Sequence, residues 1–178
     1  GLDFSRQILR HDARTSGGTD SLTEPWSVPL AEARLSTFLQ ATNNQTNVDD
    51  ATIDAAQAFL SGAVVDAQAR LNIRNLVSSN ALQLPAQRQF ERLFERLGLP
   101  RAELTVLSQQ ALAALRSEGK AANAPLLPRT YKELAWWGLS PATMAALEPY
   151  VTLLPQTTLV NINTASPTVI WAAVDGLD

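Results

Sequence analysis

Val65-Asp66-Ala67-Gln68-Ala69-Arg70-Leu71-Asn72-Ile73-Arg74-Asn75-Leu76 leaves a β-prone run and closes on a pair of asparagines. A second pair stands far downstream, in Val160-Asn161-Ile162-Asn163-Thr164-Ala165. Asparagine side chains bond neighbouring backbone groups and tolerate turn conformations, so both stretches read as structural corners. In an extended segment over 157–163, Asn161 and Asn163 share one face, with Val160 and Ile162 on the other. Thr164 or Ser166 then caps a following helix. No phosphate loop, metal signature or catalytic triad competes with these motifs, and they point to assembly rather than chemistry.

Upstream of the first motif, residues 58–66 read as a strand with Gly62 as a bulge, and 70–75 either pairs with it or closes it. Residues 40–50 are nearly all polar and read as an exposed loop. Glu24-Pro25-Trp26 and Pro29 predict an extended or turning stretch, because proline fixes φ and removes a donor. Thr15 to Thr23 reads as a loop. Residues 2–14 predict a helix, with Phe4 and Ile8 on one face and Arg6, Arg10 and Arg14 on another.

From Pro85 the period becomes helical. Phe90, Leu93, Phe94 and Leu97 recur at helical spacing, and Gly98 stops the run. Pro100 opens a second helix through Leu104, Leu107, Ala111 and Leu115. Ser117 to Pro128 reads as a loop. A short helix over Tyr131 to Trp137 ends at Gly138. Ser140-Pro141 and Ser166-Pro167 each place a capping serine before a proline at the first helical position, which predicts two more helices. The expected division is a helix-and-sheet region over 1–80, a helical domain over 81–155, and a return strand with the start of a further helical segment over 156–178.

With 178 residues, 46% of them apolar and 17% charged, the chain is long and apolar enough for a packed core. A net charge of −3 and a pI near 5.2 argue against a protein that coats nucleic acid. The absence of cysteine excludes disulfides, a thiolate nucleophile and zinc–cysteine sites. His11, the single histidine, lacks the partners of a triad and reads as a helix-surface residue. We expect no catalytic residue, no cofactor and no metal ligand set, hence no enzyme. Asp49, Asp50 and Asp54 are the acidic cluster nearest to a calcium loop, but their spacing does not match an EF-hand, and a solvated cap is the simpler reading. Trp136-Trp137 is an adjacent aromatic pair. Neighbours on a short helix diverge by about 100°, so one enters the core and the other covers an edge or anchors a partner.

Four motifs, taken in order, resemble a known family: Leu2-Asp3-Phe4-Ser5-Arg6-Gln7-Ile8-Leu9-Arg10, Asp20-Ser21-Leu22-Thr23-Glu24-Pro25-Trp26, the stretch Asp66 to Leu76, and Val160-Asn161-Ile162-Asn163-Thr164-Ala165. Together they resemble the K-type minor pseudopilin of the bacterial type II secretion system. The resemblance implies an α+β fold, in which a pilin-like N-terminal helix packs on an antiparallel sheet and an all-helical domain is inserted. It implies a structural subunit that caps the pseudopilus tip with I-type and J-type minor pseudopilins. It implies a periplasmic domain, anchored to the inner membrane through an apolar half-helix upstream of Gly1 and continuing beyond Asp178. Phe4, Ile8, Trp136 and Trp137 are then the expected partner-binding residues.

The resemblance also implies calcium, through an acidic, tryptophan-containing segment near the end of the second inserted helix. Here that place reads Leu115-Arg116-Ser117-Glu118-Gly119-Lys120, which is poor in acids. The competing reading is a helix-hairpin-helix DNA-binding module, from Asn161 through Ser166, a helix, and Asp175-Gly176-Leu177. Such modules bind phosphate through glycine-rich hairpins backed by basic residues. This hairpin carries Asp175 and Asp178 and no lysine or arginine, so we expect no nucleic-acid partner.

Overall fold

The computed structural model describes residues 2–15, 17–34, 59–117 and 125–177. The chain divides into two compact units, Gly1–Val65 and Asp66–Asp178. The expected loop at 40–50 and the Asp49, Asp50, Asp54 cluster lie outside the described residues.

In the first unit, helix α1 (Leu2–Thr15) covers the stretch read as helical, with Asp3 in its first turn and Arg14 in its last, both favourable to the helix dipole. A single 3₁₀ turn, Pro25–Ser27, packs against α1 and buries Trp26. Trp26 satisfies its indole N–H by donating to Glu24 Oε2 at 2.8 Å. Strand β1 (Leu30–Arg34) pairs antiparallel with β2 (Phe59–Gly62), with a register irregularity between Leu30 and Ala33.

Among its described residues the second unit contains two very short sheets, four α-helices and three 3₁₀ helices, the first of them Ala67–Ala69. Strand β3 (Leu71–Asn72) is followed by a 3₁₀ turn (Ile73–Leu76), then β4 (Val77–Ser78) and β5 (Ala81–Leu82) as a hairpin. Ser79 and Asn80 between them both have positive φ (49° and 59°), as a tight type I′ turn requires. Helices α2 (Leu84–Arg96) and α3 (Arg101–Ser117) follow, then a 3₁₀ helix (Tyr131–Trp137), α4 (Pro141–Leu147), strand β6 (Val151–Thr152) and α5 (Pro167–Ala173). The helices start and stop as their signals dictate. Ser140 Oγ accepts from Thr143 N and Ser166 Oγ from Val169 N, while Gly138 ends the 3₁₀ helix at φ +84°.

The expectation that 70–75 pairs with the preceding strand is corrected. β3 pairs instead with β6, in parallel, with Leu71 opposite Val151 and Asn72 opposite Thr152. The reason is burial: Leu71, Ile73, Leu76 and Val77 enter the same apolar core as Phe90, Leu93, Phe94, Leu107, Leu134, Trp137, Leu147 and Val151. Val169 and Ala172 of α5 join that core too. By contacts the chain divides after Val65, and α5 packs within the second unit. Helix α5 is held on α2 by Gln89 Nε2 donating to Ala173 O (3.0 Å), Arg92 Nε donating to Ala172 O (2.9 Å), and Arg96 stacked 5.3 Å from the centre of the Trp171 ring.

Candidate partner-binding surfaces

The two asparagine motifs are the two halves of one clamp. Asn72 is buried, and all of its amide is used. Its Nδ2 donates to Gln156 O (2.7 Å) and Thr158 Oγ1 (3.1 Å), while its Oδ1 accepts from Arg74 N and Leu154 N (3.1 Å each). Asn75 pairs with the backbone of Thr158 in both directions, donating to its O at 2.7 Å and accepting from its N at 3.0 Å. That is the pattern of a strand ladder made by a side chain. Asp66 accepts from Gln68 N (2.7 Å), Asn161 Nδ2 (3.0 Å) and Thr164 Oγ1 (2.6 Å). The Asp66 carboxylate and the Asn72 and Asn75 amides thus fix 154–165 against 66–76.

Above the clamp lies a groove of about 980 Å³, with Arg74, Ser79, Leu126, Leu127, Arg129 and Trp136 among its lining residues. The aromatic pair divides as its geometry demands. Trp137 is 2% exposed and donates its indole N–H to Leu126 O at 3.0 Å, so it is a core residue. Trp136 is 59% exposed and lines the groove. Of the two rings, only that of Trp136 is open to solvent. Glu133, also in the lining, is pinned: Arg129 N (2.6 Å) and Thr130 N (3.2 Å) donate to its carboxylate and hold it below the usual carboxylate range.

In the same unit, Glu103 of α3 ties down the start of α4. It accepts from Ser140 N and from Ser140 Oγ, each at 3.0 Å. The backbone N–H of Ser140 is the main cause that lowers its pKa, and Thr143 and Ser140 hydroxyls add to it against the opposing effect of burial. Tyr131 donates to Met144 O at 2.6 Å, and burial, with the nearby Glu148 charge, pushes its phenol up to about 12.

In the first unit, Ile8 is half-buried on α1, Leu2 and Leu9 are exposed, and Phe4 lies in the same helix with its side chain outside the described set. Ligand atoms of Asp12, Asp20 and Glu24 lie within 4.8 Å of one another, and Asp12 is buried. The Glu24 carboxylate accepts from Ser21 N and Trp26 Nε1, both at 2.8 Å. The sequence reading named the Asp20-to-Trp26 loop without seeing that Asp12 of the helix meets it. It also missed Arg74 and the Glu103–Ser140 bridge, which only the packing of α3 on α4 reveals.

Residues 69–156 match the family described as Type II secretion system (T2SS), protein K. The matched segment makes up just under half of the chain. It runs from just after Asp66 to just after β6, and it contains α2, α3, the 3₁₀ helix over Tyr131–Trp137 and α4. No curated protein matches the chain. Among solved structures, a chain in the crystal structure of the GspK-GspI-GspJ complex from the enterotoxigenic Escherichia coli type 2 secretion system is similar, with a TM-score of 0.66 at 16% identity over 96% of this chain. This chain spans 62% of the length of that one. At that identity the likeness is one of fold, a mixture of helices and small sheets. The segment read as a DNA-binding hairpin has its helix α5 seated in the second unit's own core through Val169 and Ala172, and Asp175 is paired with Arg92 at 3.0 Å.

Proposed function

We propose that this chain is a non-enzymatic structural subunit of the type II secretion pseudopilus that caps its tip together with I-type and J-type minor pseudopilins. The observation that carries this reading is the protein K pattern over residues 69–156, folded as a unit whose polar side chains are spent on structure. α1 is read as the lower half of a pilin-like helix. Its apolar continuation would anchor the protein in the inner membrane and leave the rest in the periplasm. Among the described residues no helix is itself long and apolar enough to cross a membrane. The bulk of the helical unit would leave no seat for a further subunit above it.

The test uses α1. Leu2 and Leu9 are exposed large apolar residues on this helix, so charge placed there spares the core. Leu2→Glu with Leu9→Glu is expected to weaken binding to an I-type or J-type partner at least about tenfold, the loss of one or two small apolar anchors. Far-ultraviolet circular dichroism is expected to stay unchanged. Undiminished binding would place the assembly surface away from α1.

A further inference from the structure

We propose that the groove beside Arg74 and Trp136 is a docking site for an extended segment of a partner polypeptide that carries a carboxylate next to a large apolar side chain. This goes beyond the tip-subunit reading and does not rest on it.

The argument starts from Arg74. Its Nη1 is a buried side-chain nitrogen with no hydrogen-bond partner, and it is alone in that respect among the described residues. A guanidinium carries five donors in a fixed fork and matches a carboxylate bidentately. A charged donor buried without an acceptor is costly to keep, so an acceptor brought by a partner is strongly favoured there. The chain's own nearby carboxylate does not serve. Glu133 shares the groove, yet its Oε2 accepts from both the Arg129 and Thr130 backbone N–H groups, which tie the carboxylate to the start of its own helix. With Arg129 also in the lining, the groove is complementary to negative charge.

The rest of the wall selects a peptide over a free anion. Trp136 is 59% exposed, and Leu126 and Leu127 beside it are exposed as well, which is a large apolar surface to leave in water at one mouth. Arginine and tryptophan together are the composition of interface hot spots, where an apolar anchor shields a charged pair from water. The tight turn at Ser79-Asn80 forms part of the same lining, and its conformation is fixed further by Arg116 Nε donating to Asn80 O at 2.9 Å. The groove is therefore largely preformed.

The experiment titrates the ¹⁵N-labelled chain with three probes: acetyl-Leu-Asp-Phe-amide, acetyl-Leu-Asn-Phe-amide and sodium acetate. The readouts are the Trp136 indole N–H and the Arg74 guanidinium N–H by NMR. The aspartate peptide is expected to shift both, and the asparagine peptide to bind about tenfold or more weakly, the difference between a charge-assisted and a neutral hydrogen bond. Trp136→Ala, at an exposed position, should abolish the response while leaving the rest of the spectrum in place. Arg74→Met should erase the preference for aspartate over asparagine. Equal binding of the two peptides overturns the proposal. So does acetate binding as tightly as the aspartate peptide, which would make the groove a small-anion site. Self-association lost in Trp136→Ala would make the occupant a second copy of this chain, and that result also overturns it.

Discussion

Truncating Asn72 to alanine tests the clamp where it is most concentrated. The side chain is 1% exposed and makes four hydrogen bonds, two as donor and two as acceptor. Asn72→Ala strands the N–H groups of Arg74 and Leu154, the carbonyl of Gln156 and the hydroxyl of Thr158 at once. Each lost bond is worth roughly 1 kcal/mol net, and a donor or acceptor left buried and unpaired costs about 1–3 kcal/mol. Water reaching the half-buried partners offsets part of this, so the expected loss is about 3–4 kcal/mol, a large fraction of a typical total of about 5–15 kcal/mol. Urea unfolding followed by tryptophan fluorescence measures it, with the midpoint lowered and the slope unchanged. Asn72→Asp sharpens the reasoning. It keeps acceptors for the Arg74 and Leu154 N–H groups but faces an oxygen to Gln156 O, now 2.7 Å from the amide nitrogen. It should be at least as damaging as alanine at neutral pH and recover in part in acid, when the carboxyl regains a donor. A loss below about 1 kcal/mol for Asn72→Ala would refute the claim that the clamp closes the unit.

Other outcomes follow from the same packing. The Glu103 carboxyl is lowered by the Ser140 N–H, so its contribution is present above the ordinary carboxylate pKa and is lost as pH falls through the lowered value. Glu103→Gln should therefore be less stable than the parent at pH 7 by about 0.5–1.5 kcal/mol, and the gap should close in acid, as read by thermal melts across pH. Tyr131 has its pKa raised to about 12, so the stability it confers is complete below the ordinary value of 10.0 and is lost as pH climbs toward 12. Tyr131→Phe should flatten that alkaline limb in the same melts. For calcium, the Asp12, Asp20 and Glu24 trio brings together one ligand oxygen from each residue, three against the roughly 6–8 of a tight site, and Glu24 Oε2 already accepts from Ser21 N and Trp26 Nε1. Melting with calcium and with chelator should differ by less than about 1 °C, and a rise of several degrees would reverse that expectation.

What the sequence disclosed and what it withheld separate along physical lines. Helices α2 and α3 were legible because an apolar stripe at helical spacing is a local signal, and the serine–proline starts and glycine stops are local too. The asparagine pairs were legible as corners for the same reason. That Asn75 grips Thr158 and Asp66 grips Thr164 was not, since those bonds join residues more than 80 apart along the chain. Strands of two residues, such as β3 and β6, carry no period to read, so their parallel pairing was lost. The Trp136-Trp137 pair showed that one ring is buried, but which one depends on how the 3₁₀ helix sits on α3 and α4. Arg74 gave no signal at all, because an unpaired buried nitrogen exists only once its neighbours are placed.

The central claim, a pseudopilus tip subunit, is tested most directly by mixing this chain with purified periplasmic domains of I-type and J-type minor pseudopilins at micromolar concentration. Size-exclusion chromatography with light scattering then reads the mass. The account predicts one peak containing all three chains, with a mass equal to their sum in small whole-number ratio and lost when α1 carries Leu2→Glu and Leu9→Glu. Elution of this chain alone, at its own 19.2 kDa beside an I-type and J-type pair that ignores it, would contradict the account.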